Sequence, residues 1–351
     1  MKKINKKTII SNLIMITLTV LGIGLASSIF GSNNTLVWVA MQVSLTMYTK
    51  MNIGIDKKQA PIIIILLFLL IGISNRIAML NPFLGAVINF ITIFIIMYIP
   101  SRKVEQKPYM PFILCYIFAQ SNPATGNDLK TRFISLLLGG ILVAITYYIS
   151  HRKSEEEKIH IKNIFKNIDI TSNRFILSFK MAIGVTLAMF IGDIIGLQKT
   201  MWIALSVMSI TQIDFKQTQE RFKYRIISTI IGAIAFVILF KYLIPEHYTV
   251  IASLILSYIY TFVEAYNIQI IFVTVNSLSS AMLLFDSVTA VWLRIILVIT
   301  GCIIGYTINK LNFEKIFKKD KKSNKQNKKV LNLTWELWCT RRDSNPRPLG
   351  S

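Results

Sequence analysis

Long apolar segments separated by short charged loops dominate this chain. A helix needs about 20 apolar residues to cross the ~30 Å hydrocarbon core of a bilayer, and 53% of the 351 residues are hydrophobic. The pattern predicts an all-α polytopic membrane protein with about 12 transmembrane segments. The segments are 8–30, 35–48, 60–74, 84–100, 108–119 and 131–150 in the first half, and 175–195, 200–212, 225–243, 248–264, 268–285 and 290–310 in the second.

Three of these segments are too short to cross a bilayer as straight helices. They are 35–48 and 200–212, the second of each half, and 108–119. Segments of this kind are tolerated at membrane depth only where protein or a water-filled cavity covers them. We therefore predict half-helices or re-entrant segments that are buried inside the protein.

Two sequence anchors recur at nearly the same offset along the chain. The six residues that begin at Trp38 recur from Trp202, 164 positions later. Arg132 and Gly139 recur as Arg294 and Gly301, 162 positions later. These matches predict two six-helix repeats, and internal repeats in membrane proteins are typical of transporters with a path between the halves.

The net charge of +22 is distributed unevenly between alternate loops. Basic residues are concentrated before the first segment and after the second, fourth, sixth and eighth. The opposite side holds Arg76, Lys130, Arg132, Lys199, Lys241 and Arg294. The positive-inside rule then puts both termini and the central linker in the cytoplasm, so the two repeats are parallel. The charge reflects orientation in a cell membrane and attraction to anionic lipid, and it does not indicate nucleic-acid binding.

The chain divides into four regions. Residues 1–150 form the first, diverged repeat, 151–174 a charged cytoplasmic hinge, 175–311 the second repeat, and 312–351 a lysine-rich tail predicted to be disordered. The stretch 333–351 resembles the spurious peptide produced when a reading frame continues into an RNA gene, and we expect no function for it.

No catalytic or cofactor motif is visible in the sequence. The cysteines and histidines lack metal-ligand spacing, no phosphate-binding loop of the G-x-x-x-x-G-K-[ST] type occurs, and no nucleophile–base–acid arrangement is recognisable. We therefore expect neither an enzyme nor a bound cofactor or metal.

Arg132 and Arg294 are the first candidates for a transport path. Each lies near the start of the last segment of its half, on the side that positive residues usually avoid. A charged group at membrane depth usually faces a cavity or a partner, and guanidinium groups bind carboxylates well. A symmetric pair facing a central path would attract an organic anion. Alternatively, each arginine snorkels to the interface or pairs with a nearby carboxylate, Asp128 or Asp286.

Four further residues are candidates for binding substrate. Trp38 and Trp202 could stack on an aromatic substrate or anchor the ends of their segments at the membrane interface. Lys180 could face the path or snorkel to the cytoplasmic surface. Asn276 belongs to a polar set in 268–285 that could line a wet path or bond one helix to another.

Two carboxylates and four glycines complete the candidates. Glu264 and Asp286 could couple transport to protons, although Glu264 fits a short loop equally well. The glycines are predicted to let neighbouring helices approach closely, and they are Gly139, Gly232, Gly301 and Gly305.

The second half carries a family resemblance. The residues from Trp202 to Val207 are followed by a basic loop and then by Arg225, Thr229 and Gly232. In this order and spacing, residues 175–310 resemble the fusaric acid resistance and aromatic acid exporter superfamily, which includes the aluminium-activated malate transporters. The first half looks like a diverged copy, because 58–72 lacks the Arg-x-x-x-Thr-x-x-Gly element.

The resemblance implies export of organic, often aromatic, anions. We expect a secondary transporter of small organic acids driven by the proton motive force. A passive organic-anion channel and a non-transporting envelope or assembly factor are the alternatives. The expected partners are a small organic anion and the lipid bilayer, without nucleic acid, and a homo-oligomer stays open.

Overall fold

The computed structural model describes residues 5–153, 159–166, 168–196, 199–282, 286–311, 313 and 315–316. Within these ranges the protein is all-helical, and its single β-bridge, between Ile55 and Ile159, lies outside any strand. The stretch 333–351 and nearly all of the predicted tail fall outside the described residues.

Thirteen α-helices are described, and their order follows the apolar pattern of the sequence. They are α1 (Lys6–Phe30), α2 (Thr35–Met47), α3 (Ala60–Ala78), α4 (Pro82–Tyr98), α5 (Met110–Ser121), α6 (Gly126–His151), α7 (Ile161–Lys166), α8 (Asn173–Ile195), α9 (Met201–Ile210), α10 (Phe215–Phe236), α11 (Thr249–Tyr260), α12 (Tyr266–Ala281) and α13 (Ser287–Lys310). A π-helical segment, Val237–Leu243, continues α10.

Local capping explains several helix boundaries. The side chains of Asn81, Ser172, Asp214 and Asp286 each accept a hydrogen bond from a backbone N–H in the first turn of α4, α8, α10 and α13, which satisfies a donor that the helix leaves free. The Asp214 cap starts α10 well before residue 225, where the apolar segment begins. Helix α8 ends at Gly196, whose φ of 64° suits glycine.

Six of the described helices are long and apolar enough to cross a membrane. They are α1, α3, α6, α8, α13 and α10 with its π-helical extension. As predicted, α2, α5 and α9 are short, with 13, 12 and 10 residues; most side chains of α5 and α9 are buried, whereas fewer than half of those of α2 are. Helices α4, α11 and α12 are also shorter than 18 residues. The structure therefore has fewer helices of spanning length than the predicted segments.

Six pairs of helices that pack together in the first half have counterparts in the second, whereas the extensive α2–α5 and α3–α4 contacts have no comparable counterpart. In the first half, α1 contacts α2 and α6, α6 contacts α2 and α3, and α5 contacts α3 and α4. In the second half, α8 contacts α9 and α13, α13 contacts α9 and α10, and α12 contacts α10 and α11. Every one of these contacts has its counterpart when the helices are matched in chain order.

The two halves meet along two seams of very different extent. Helices α4 and α8 form the larger one, in which Phe90 packs edge-on against Phe179 with ring centroids 5.8 Å apart. Helices α1 and α11 form the smaller one, joined by the hydrogen bond from Asn12 Nδ2 to Thr261 Oγ1 at 3.0 Å. In addition, α5 packs against α9 at the centre of the molecule.

Candidate functional site

The guanidinium group of Arg132 is buried and donates four hydrogen bonds to neutral oxygens. Its Nε donates to Asn34 Oδ1 at 2.8 Å, and its Nη2 donates to the carbonyl oxygen of Asn33 at 2.9 Å. Its Nη1 donates to the carbonyl oxygen of Ala119 at 3.1 Å and to Asn75 Oδ1 at 3.3 Å. Arg132 thus connects α6 to α3, to α5 and to the turn before α2.

Arg294, at the matching place in the second half, has different surroundings. It is 1% exposed, and its guanidinium lies over the ring of Trp202 at 4.8 Å from the centroid, a cation–π contact. Its Nε is buried without a hydrogen-bond partner. Trp202 and Arg294, two of the predicted path residues, are therefore in contact, whereas Arg132 is held by backbone and amide oxygens.

A second buried arginine joins Arg294. Arg225 of α10 is 4% exposed and its Nε also lacks a partner. It lies close enough to Arg294 for their like charges to act on each other. In the sequence, Arg225 begins the predicted segment 225–243 directly after a basic loop, and it precedes Gly232 by seven residues, the same spacing as in Arg132/Gly139 and Arg294/Gly301.

The buried pair has no acidic counterpart on the helices around it. Helices α9, α12 and α13 contain no Asp or Glu, and the one acidic residue of α10, Glu220, is exposed. Two desolvated positive charges repel each other and are strongly unfavourable without a counter-charge. The arrangement is therefore suited to holding an anion between α9, α10 and α13.

Arg221 extends the line of guanidinium groups towards the predicted cytoplasmic end. It lies four residues before Arg225, so both side chains are on the same face of α10, about 6 Å apart along the helix axis. Its Nη1 donates to the carbonyl oxygen of Ser209 at 3.1 Å, and its guanidinium lies 4.5 Å from the centroid of the Tyr266 ring. Arg221, Arg225 and Arg294 form what we call the arginine ladder.

Two cavities open at the base of the arginine ladder, on either side of the loop after α9. The first has a volume of about 420 Å³ and is lined by residues that include Lys107, Tyr109, Gln212 and Arg221. The second, of about 400 Å³, is lined by Lys180 among others. The first, which we call the inner cavity, lies between the α4–α5 loop of one half and α8, α9 and α10 of the other.

A third, much smaller cavity lies at the opposite end of the seam between α5, α8 and α9. Its volume is about 20 Å³, and its lining includes Gln120, Asp193 and Ala204. Ile113 of α5 and Met181 of α8 are both buried.

The other predicted binding residues, Trp38, Asn276 and Lys180, lie outside the arginine ladder. Trp38 is 8% exposed and stacks on Phe30 at 5.4 Å, and neither tryptophan of the matched pair is at the protein surface. Asn276 Nδ2 donates to Ser257 Oγ at 3.0 Å, which bonds α12 to α11. Lys180 is buried on α8. A role of these residues in a path stays a prediction.

The two carboxylates considered for coupling are exposed. Glu264 lies in the turn between α11 and α12. Asp286 Oδ2 accepts hydrogen bonds from the backbone N–H groups of Val288 and Thr289 at 3.1 and 3.0 Å, and hydrogen bonds with Thr289 hold the pKa of its carboxyl below the usual value. Proton coupling through either residue stays a prediction.

The four glycines lie where helices approach closely. A Cβ atom on Gly139 would lie 3.0 Å from Met41 Sδ of α2, and one on Gly232 would lie 2.8 Å from Thr274 Cβ of α12. One on Gly301 would lie 2.7 Å from Ser206 Cβ of α9, and one on Gly305 would lie 2.8 Å from Ile210 Cδ1. Gly139 and Gly301 thus have matching positions, where the last helix of each half crosses the tryptophan-bearing helix.

Metal binding finds no support in the described ranges, where no three His, Cys, Asp or Glu side chains are grouped closely enough to hold an ion. Cys115 and Cys302 are each buried as free thiols.

Comparison with known proteins adds a family assignment for part of the chain. Residues 187–308 match the model of the fusaric acid resistance protein-like family, which confirms the predicted resemblance over this segment. The matched segment includes the whole arginine ladder and Trp202. Neither the curated proteins nor the solved structures contain a significant match to the chain.

Proposed function

We propose that this chain is a membrane transporter that exports small organic acids from the cytoplasm. The family match associates residues 187–308 with membrane transport and resistance functions. The observation that carries the proposal is the buried pair Arg225 and Arg294, which lacks an acidic partner on the surrounding helices. A transported carboxylate would supply the missing negative charge, and guanidinium groups suit carboxylates.

The arginine ladder defines the route in this proposal. An anion enters the inner cavity, passes Arg221 and Arg225 on one face of α10, and reaches Arg294. Trp202 lies against Arg294 and would offer its ring to an aromatic substrate.

The proposed topology has about 12 membrane-embedded segments in two parallel six-helix repeats, with both termini in the cytoplasm and the protein in the cell membrane. The matching helix contacts of the two halves support the repeats. In this arrangement the six helices of spanning length cross the membrane, and the shorter ones complete the spans inside the bundle.

The test is anion flux into liposomes that contain the purified protein. Succinate and phthalate serve as aliphatic and aromatic dicarboxylates, and protein-free liposomes give the leak. We expect Arg225→Gln and Arg294→Gln each to slow flux by about tenfold or more, because one charge-assisted hydrogen bond contributes roughly 1.5–3 kcal/mol.

Lys223→Gln is the matched control, because Lys223 is an exposed basic residue on the same helix as Arg225. This variant should transport at the rate of the unmodified protein. Flux that is unchanged in both folded arginine variants, or unmodified protein that moves neither anion, would overturn the proposal.

A further inference from the structure

The inner cavity contains two basic side chains that come from different halves of the chain. Lys107 lies in the loop between α4 and α5, and Arg221 lies on α10. Their positions are separated by more than a hundred residues in sequence, yet Lys107 lies close enough to Arg221 for their two positive charges to interact. An anion between them would therefore contact both halves at once.

The backbone holds Lys107 in an unusual conformation. Its φ is 56°, in the left-handed region that non-glycine residues seldom adopt. Such a conformation has an energetic cost and persists where the surrounding structure requires it. The ammonium group of Lys107 donates one hydrogen bond to Gln212 Oε1 at 3.2 Å. An ammonium group has three donors, so Lys107 can offer further hydrogen bonds to a ligand.

The positive charge of Lys107 is poorly compensated by the acidic residues around it. Burial, followed by the like charge of Arg221, lowers the pKa of Lys107 to about 8. The acidic residues in the lining are Glu105 and Asp214; both are exposed, and Asp214 Oδ1 accepts a hydrogen bond from the backbone of α10. Tyr109 in the lining is buried, and its phenol can donate a hydrogen bond.

We propose that the inner cavity is a binding site for a small organic monocarboxylate, whose carboxylate group lies between Lys107 and Arg221. The cavity volume of about 420 Å³ is in the range of small-molecule sites. Leu177 and Ile213 in the lining would contact the apolar body of the ligand. This inference rests on the proposed function for its class of ligand, and it adds a loading site in which one ligand bridges the two halves.

The experiment measures benzoate binding to the purified full-length chain in detergent micelles by isothermal titration calorimetry. Lys107→Gln and Arg221→Gln should each weaken binding by at least about tenfold, since each removes one charged partner of the carboxylate. Lys107→Arg keeps the charge and the same backbone requirement, so it should bind within about threefold of the unmodified protein. Lys223→Gln, an exposed neutralisation on α10, should bind normally.

Three outcomes would overturn the inference. They are the absence of benzoate binding to the unmodified protein, equal weakening by Lys223→Gln, and sulfate binding as tight as benzoate binding. Loss of folding in Lys107→Gln leaves the test to Lys107→Arg and Arg221→Gln, which must then differ by at least about threefold.

Binding and flux separate the two proposals. Lys107-dependent benzoate binding by a protein that moves no anion in liposomes would reject the transport function and keep the site. Flux that depends on Arg225 and Arg294 without any Lys107-dependent binding would keep the transport function and reject the site.

Discussion

The unlike surroundings of Arg132 and Arg294 lead to opposite expectations for the same substitution. Replacing Arg132 with Gln removes the donors of four hydrogen bonds, three of them at 2.8, 2.9 and 3.1 Å. Each hydrogen bond to a charged group contributes about 1.5–3 kcal/mol, and part of that gain is offset because a guanidinium no longer has to be buried. We expect a net loss of about 3 kcal/mol in the free energy of unfolding.

Replacing Arg294 with Gln removes a buried charge whose Nε has no partner. The loss of the cation–π contact with Trp202 costs about 1–2 kcal/mol, and relief of repulsion from Arg225 acts in the other direction. The free energy of unfolding of this variant should change by less than about 1 kcal/mol.

Equilibrium unfolding of the purified variants in mixed micelles, by titration with sodium dodecyl sulfate, measures both values against the unmodified protein. Equal destabilisation by the two substitutions would refute the reasoning, because it would mean that Arg294 has protein partners as strong as those of Arg132.

Three further predictions follow from the structure. Gly301→Val should lower the free energy of unfolding by more than about 2 kcal/mol, since any Cβ there meets Ser206, whereas Gly24→Ala, with no atom within 4 Å of its Cβ, should be tolerated in the same micelle assay. Benzoate affinity should fall as pH rises from 7 to 9, because Lys107, with its pKa of about 8, then loses the proton that makes it a cation; a flat calorimetric profile would contradict this. Asp286→Ala should lower the midpoint of the micelle titration through loss of the α13 cap, and an unchanged midpoint would show that the cap is dispensable.

The sequence alone was sufficient to predict the features that depend on local chain chemistry. Apolar runs determine which segments become helices, since a long apolar stretch must satisfy its backbone hydrogen bonds internally in a membrane. The recurring tryptophan and Arg–Gly anchors also identified Trp202, Arg294 and Gly301 as candidates, and the structure brings all three to the contact between α9 and α13.

The partners of each arginine could not be read from the sequence. Asn33, Asn34 and Asn75 accept hydrogen bonds from Arg132 across 57 or more positions, and no local pattern specifies such contacts. Lys107 was overlooked for the same reason, because its position beside Gln212 depends on a left-handed backbone residue and on the packing of the two halves.

The unequal seams between the halves have an evolutionary consequence. In a dimer of identical subunits, a substitution at one seam would appear at the symmetric seam as well. Here α4 and α8 are encoded separately from α1 and α11, so selection can adjust each contact alone. The aromatic packing of one seam beside the sparse contacts of the other is a difference that a single chain permits and a symmetric homodimer forbids.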